Sequence, residues 1–217
     1  VLTTLTFTSS TLWTVPLDWS NLNTIQVIGG GQGGGSYYRW SGGSRLNYGY
    51  GGAGAGYVSV TNLSVLVPGQ NVSVQIGAGG AGRSTASAPN GGGPGNPGGN
   101  SLFGPYLQAT GGTVGAFFPF LSPGAGSVVN LAASSYTNAV TSSGFVGRQF
   151  IGGDAGIGGS SGRPGFGSYG NGGNSQNFYN VNPGSGNVGV AAQSGASGVV
   201  VISYTPSGTH QSSVWIS

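Results

Sequence analysis

Glycine fills 49 of the 217 positions of this chain, which leaves it two ways to exist. Glycine loses more backbone freedom on folding than any other residue. So rich a chain is either unfolded, or it uses the missing side chains to let backbones touch. The glycines cluster as GGGQGGG at 29–35, GYGGAGAG at 49–56 and GAGGAG at 77–82, and in a long run at 152–173. Disorder requires low hydrophobicity and high net charge. Here 36% of residues are hydrophobic and the charges amount to five arginines and two aspartates, so the folded reading is preferred.

The positive charges are Arg39, Arg45, Arg83, Arg148 and Arg163, and the acids are Asp18 and Asp154. They are scattered along the sequence and sum to only +3. A nucleic-acid binder shows a basic stripe, so no nucleic-acid partner is expected, and a strongly anionic receptor is disfavoured. The absence of cysteine removes disulfides and thiolate metal sites. No apolar run approaches the roughly 18 residues of a membrane helix, so membrane insertion is not expected. With Val1 first and no methionine, the chain reads as a fragment or a processed product.

The N-terminal part reads as strands at Leu2–Thr8, Trp13–Val15, Thr24–Ile28, Tyr57–Val60, Leu63–Val67 and Asn71–Ile76, with a turn at Pro68-Gly69. Gly198–Tyr204 reads as a buried strand. No apolar repeat at helical spacing occurs, so the class is all-β. Between the strands glycine takes a period of three, at Gly92, Gly95 and Gly98 and again at Gly153, Gly156, Gly159, Gly162 and Gly165. Three residues per turn is the repeat of the extended left-handed polyproline-type helix, which has no internal hydrogen bonds. Such helices must bond to one another. Collagen shares the period but demands it without interruption. A flexible Gly/Ser linker would not set Tyr48, Tyr50, Phe166 and Tyr169 among the glycines.

An ordered set of motifs carries a family resemblance. It runs from Trp13-Thr14-Val15-Pro16 through Ile25–Gly31, Gly52–Val58, Val67-Pro68-Gly69-Gln70 and Val74–Gly82 to Gly195–Tyr204. The set resembles the glycine-rich domain of phage tail-fibre tips and bacterial surface adhesins. More distantly it is similar to the glycine-rich region of the anaplastic lymphoma kinase ectodomain, although that relative uses cysteines. The resemblance implies a jelly-roll-like (tumour-necrosis-factor-like) β-sandwich carrying a polyglycine-II insertion over roughly 77–195. It implies one domain over 1–205, with 206–217 a tail or the start of the next segment. A homotrimer and an extracellular setting, on a virion tail fibre or a bacterial surface, are further expectations.

Several motifs mimic chemistry. Gly29–Gly34 and Gly77–Gly82 fit the dinucleotide fingerprint, but no helix signal or suitably spaced acid follows. Gly158-Gly159-Ser160-Ser161-Gly162 fits a nucleophile elbow, with His210 and Asp154 as the available partners, but the strand–turn–helix context is missing. Asn62 and Asn71 begin glycosylation sequons within strand-like segments. No catalytic residue, metal ligand or cofactor is assigned, and no enzymatic activity is expected.

Large side chains between glycine blocks are the better candidates. Tyr37, Tyr38, Arg39 and Trp40, with Arg45, Tyr48 and Tyr50, read as a loop on a rigid scaffold, where binding usually resides. Phe117, Phe118 and Phe120 form a second, apolar candidate. The function expected is receptor binding: a non-enzymatic adhesin or fibre tip recognising a glycan or an outer-membrane protein on a host or prey cell. An ice-binding protein built on polyglycine helices and a structural fibre or coat segment are the alternatives.

Overall fold

The computed structural model describes residues 1–41, 44–83, 92–114, 121–145, 149–151, 169–171 and 192–208; for 36–41, 44–50, 92, 114, 121 and 149–151 it describes the backbone course alone. In chain order the strands are β1 (Thr3–Phe7), β2 (Thr11–Thr14), β3 (Asn23–Ile28), β4 (Gly35–Ser41), β5 (Ser44–Tyr50), β6 (Tyr57–Thr61), β7 (Asn71–Gln75) and β8 (Gly92–Gly93). They continue with β9 (Ser101–Phe103), β10 (Leu107–Ala109), β11 (Thr113–Val114), β12 (Leu121–Ser122), β13 (Gly126–Val128), β14 (Asn138–Ser142), β15 (Gln149–Ile151) and β16 (Val199–Tyr204).

Two antiparallel sheets, ordered β1-β16-β3-β6-β14 and β13-β10-β9-β7-β2, pack face to face as a sandwich. Alternation builds the interface. In β7, Val72 and Val74 are buried between exposed Asn71, Ser73 and Gln75. Ile25, Val27, Val58, Val60, Val200 and Ile202 of the first sheet enter the same core. Trp13 sits at its centre, with ring contacts to Phe7, Trp19 and Phe103 at 6.5, 5.5 and 5.9 Å. Fully burying one such aliphatic side chain contributes about 1.5–3 kcal/mol, so the hydrophobic stabilisation of the molecule is concentrated here.

The expected strand at Leu63–Val67 is not formed. Asn62 takes a left-handed conformation (φ 58°) that ends β6, and Leu63 and Leu66 serve as buried anchors outside the ladders. The turn at Pro68-Gly69 is as read: Gln70 N donates to Val67 O at 3.0 Å, and Gly69 has the positive φ (81°) that a type II turn requires.

At one end of the core, Trp19 packs on Tyr204 at 5.0 Å and the Tyr204 hydroxyl donates to Asp18 Oδ1 at 3.3 Å. Burial first, then the Asp18 carboxylate and this bond, push the Tyr204 phenol above its usual value, with Thr3 opposing. A raised folded-state value favours the protonated phenol. Its stabilising contribution is therefore complete below about pH 10 and is lost as pH rises through the folded value. The expected result is a urea midpoint that falls more steeply above pH 10 in the wild type than in Tyr204→Phe, measured by fluorescence across pH 8–12.

Beyond the other end of the sandwich the strands run into glycine, and the two sheets merge. Segment 29–34 continues β3, 51–56 precedes β6, 77–83 continues β7, 94–99 precedes β9, 110–112 continues β10 and 192–198 precedes β16. Along 29–34 the amides point in three directions in turn. Gly29 and Gln32 donate to Gly56 and Ala53, Gly30 and Gly33 to Gly99 and Asn96, and Gly31 and Gly34 to Ala196 and Gln193, all at 2.8–3.2 Å. A three-residue repeat with successive bonds going in turn to three different segments is the arrangement of packed polyglycine-II helices, as the period of three implies.

The physical cause is the absence of side chains. Packed sheets stand about 10 Å apart because inward side chains fill the gap. Where those side chains vanish, the sheets close until their backbones bond directly. The Gly33–Asn96 and Arg83–Gly34 bonds each join an extension of the first sheet to one of the second. Gly95 and Gly98, from the period-three run, face Gly33 and Gly30 so closely that a Cβ on either would overlap a backbone carbonyl. The period-three run at 153–165 lies outside the described residues. The glycine tier thus starts at Gly29, upstream of the expected 77–195 span, and residues within that span (β9, β10, β13, β14) also belong to the sandwich.

Candidate functional site

Register carries the sandwich through the tier to its far side. The pairing Thr24–Thr61 and Ile28–Tyr57 in β3/β6 continues without a slip through Gly29–Gly56 and Gln32–Ala53 to Gly35–Tyr50 and Ser41–Ser44 in β4/β5. The ribbon β7/β9 continues likewise, from Val74–Phe103 to Gly99–Ala78 and Asn96–Ala81. So does β10/β13, through Thr110–Ala125 to the β11/β12 pair. From Gly29 to Ser41 the chain advances about 40 Å at roughly 3.1–3.3 Å per residue.

At the far side β4 and β5 join β15 and β8 in a four-stranded sheet, ordered β15-β5-β4-β8. This sheet holds the first group of candidate residues. Tyr37 is opposite Tyr48, Tyr38 opposite Asn47, Arg39 opposite Leu46, Trp40 opposite Arg45, and Gly35 opposite Tyr50. The expectation of a loop at 36–50 is therefore corrected: the backbone is a β-hairpin. Two seven-residue stretches rich in Tyr and Trp, separated by Gly42-Gly43, are a sequence signal for one. Phe117, Phe118 and Phe120 fall between β11 and β12, outside the described residues, as do Ser160, His210 and Asp154.

The hairpin stands on backbone that cannot easily move. Gly34 N donates to Gln193 O, and Arg83 N donates to Gly34 O, both at 2.9 Å. β8 pairs with β4 at Ser36–Gly93 and Tyr37–Gly92, continuing the register of the 29–34 and 94–99 segments. Exposed Arg83 lays its side chain beside Gly93.

The same bonds dispose of the phosphate-loop reading of Gly29–Gly34. Phosphate cradles need backbone amides free to point at the ligand. Here every amide from Gly29 to Gly34 already donates to a neighbouring carbonyl, and the segment leads into a strand. Gly77–Gly82 likewise lies within the tier, where Gly77 N donates to Ser101 Oγ and Gly80 N to Gly31 O.

Gln32 was not among the sequence candidates. It is fully buried in the tier, its Nε2 donating to Gly95 O at 3.2 Å and its Oε1 accepting from Ala53 N at 3.1 Å. Its one sequence mark is being the single non-glycine in GGGQGGG. Its role is structural: it locks the root of the hairpin.

A family model described as a glycine-rich domain matches residues 5–205. No curated protein matches the chain.

Proposed function

The chain belongs to the glycine-rich domain family, and from that premise we propose that it is a non-enzymatic recognition module, the receptor-binding tip of a phage tail fibre or bacterial surface fibre. The observation that carries this reading is the unbroken register from β3/β6 to β4/β5. It supports a division of labour. The sandwich supplies hydrophobic stability, the tier supplies stiffness, and the sheet beyond it carries Tyr37, Tyr38, Arg39, Trp40, Arg45, Tyr48 and Tyr50. Rigid aromatic and arginine side chains on a fixed backbone give contact area at low ordering cost. The receptor is a glycan or protein on the surface of another cell, and the module works outside the cell that makes it.

The double substitution Tyr38→Ala/Trp40→Ala is expected to abolish binding to a panel of bacterial cells that the wild type labels. Neither position belongs to the tier or the sandwich core, so the melting temperature is expected to stay within a few degrees. Flow cytometry with labelled protein, paired with calorimetry, checks both. Unchanged labelling removes the hairpin from the reading.

A second reading, ice binding, is favoured by one observation. Thr4, Ser203, Thr24, Thr61 and Asn138 form a row across the outer face of the first sheet, one from each strand, with Thr4 Oγ1 and Ser203 Oγ 3.1 Å apart. Thermal hysteresis at micromolar protein would establish that reading in place of the first.

A further inference from the structure

We propose that the sheet beyond the glycine tier takes an acidic polysaccharide, a polymer bearing carboxylate or phosphate groups. The proposal rests on the recognition reading above and names its ligand class. It also reverses the expectation, drawn from scattered arginines, that the receptor is weakly charged.

The fold gathers what the sequence disperses. Arg39 is on β4 opposite Leu46 and Arg45 on β5 opposite Trp40, so strand alternation puts them on opposite faces of the sheet, with Arg45 on the face of Ser36, Tyr38 and Trp40. Arg83 ends the 77–83 segment, bonded through its amide to the carbonyl of Gly34 at the root of β4. Its guanidinium lies beside Gly93 of β8, the strand paired with β4. Asp18, the only acid among the described residues, is at the opposite end of the molecule, in contact with Tyr204 and with Ser207 N. The charged side chains of the described residues are thus separated by sign, with the arginines on the hairpin side and the Asp18 carboxylate beyond the sandwich core.

Spacing argues for a polymer over a small anion. Arg83 is beside Gly93, which is opposite Ser36, and Arg45 is opposite Trp40, four residues further along β4, so the two cover about 13 Å on one face at roughly 3.3 Å per residue. One phosphate or carboxylate would meet one guanidinium. A chain carrying an acid on successive sugars would meet both. Arginine is suited to this because its planar fork binds carboxylate and phosphate through paired hydrogen bonds. Tyr38 and Trp40 share the register face of Arg45, so that face combines charge with aromatic residues, as a saccharide requires. A net charge of only +3 makes the local arrangement more informative than the total.

The test measures binding of the full chain to immobilised alginate, dextran and single-stranded oligothymidylate by biolayer interferometry from 50 to 500 mM salt. The expected result is binding to alginate that weakens about tenfold or more over that range, with dextran and oligothymidylate bound at least tenfold more weakly. Arg45→Gln and Arg83→Gln are each expected to lower alginate affinity several-fold, whereas Arg39→Gln, on the opposite face, is expected to lower it less. Asp18→Asn, which raises net charge at the far end, is expected to leave it unchanged. Equal binding to dextran, salt-independent binding, preference for oligothymidylate, or tighter alginate binding by Asp18→Asn would each overturn the proposal. Labelling of bacterial cells separates the two readings. If the arginine variants label cells as the wild type does, the acidic ligand is wrong and recognition stands. If the wild type labels none, recognition itself fails.

Discussion

Gly31→Ala is expected to destabilise this protein by at least about 4 kcal/mol, a loss comparable to the whole stability of many domains. The residue needs no unusual backbone conformation, since its φ lies outside the left-handed range that Gly69, Gly104 and Gly170 adopt. The obstacle is space. A Cβ at Gly31 would overlap the carbonyl group of Asn171. Ordinary overpacking costs about 1–3 kcal/mol because side chains rotate away. Here the opposing group is backbone, and it is pinned: Ala196 N donates to the Asn171 carbonyl, and Gly31 N donates to Ala196 O. Moving one segment strains the next. At roughly 2–4 °C per kcal/mol for a chain of this size, the melting temperature should fall by about 10 °C or more. Two comparisons isolate the cause. Gly208→Ala meets nothing and should change stability by less than about 0.5 kcal/mol. Gly69→Ala has open space but a φ of 81°, and should cost about 1–2 kcal/mol. If calorimetry ranks Gly31→Ala with Gly208→Ala, the tier is not close-packed.

The same steric logic explains what could be read in the sequence. Strands with side chains announce themselves by alternation, and β3, β7 and β16 lie within a residue of where the pattern put them. The period of three at Gly92, Gly95 and Gly98 reports a helix that turns the same edge inward every third residue, and Gly95 and Gly98 do face 29–34. What glycine cannot report is partnership. A run such as Gly29–Gly31 carries no side-chain pattern to say which segment lies beside it. The pairings come from the sandwich, where alternation fixes register, and are transmitted along continuous strands. For that reason the placing of Arg45 and Arg83 on one sheet face was not legible: the positions are far apart in the chain and are joined by bonds between glycine segments. Leu63–Val67 misled for the opposite reason. It alternates like a strand, but the left-handed Asn62 ahead of it turns the chain out of the ladder.

Gln32→Leu is expected to cost about 2–4 kcal/mol although it nearly preserves volume, because two buried backbone groups lose their partners at about 1–3 kcal/mol each. The reason lies in how the tier ends. Segment 51–56 donates in steps of three, and Gly56 N reaches Thr110 O. Three residues earlier, Ala53 N donates to a side chain, that of Gln32, instead of a backbone carbonyl, with Gly112 packed against the Ala53 carbonyl. The Gln32 side-chain amide takes the place of a peptide unit, accepting from Ala53 N and donating to Gly95 O. Asparagine, one methylene shorter, cannot span both. Gln32→Glu gives the sharper test. Ionised, it would set a carboxylate oxygen against the Gly95 carbonyl inside a fully buried site, whereas protonated it restores both bonds. Its folded-state pKa must therefore lie above the unfolded value of about 4.3. A raised carboxyl value means stability that is present below the unfolded pKa and lost as pH rises through the folded one. The variant should gain stability from pH 7 to pH 4 relative to Gln32→Leu, whose midpoint tracks the wild type over that range. Parallel urea titrations of the two variants decide it, and identical pH profiles would mean that the amide at position 32 does not stand in for backbone.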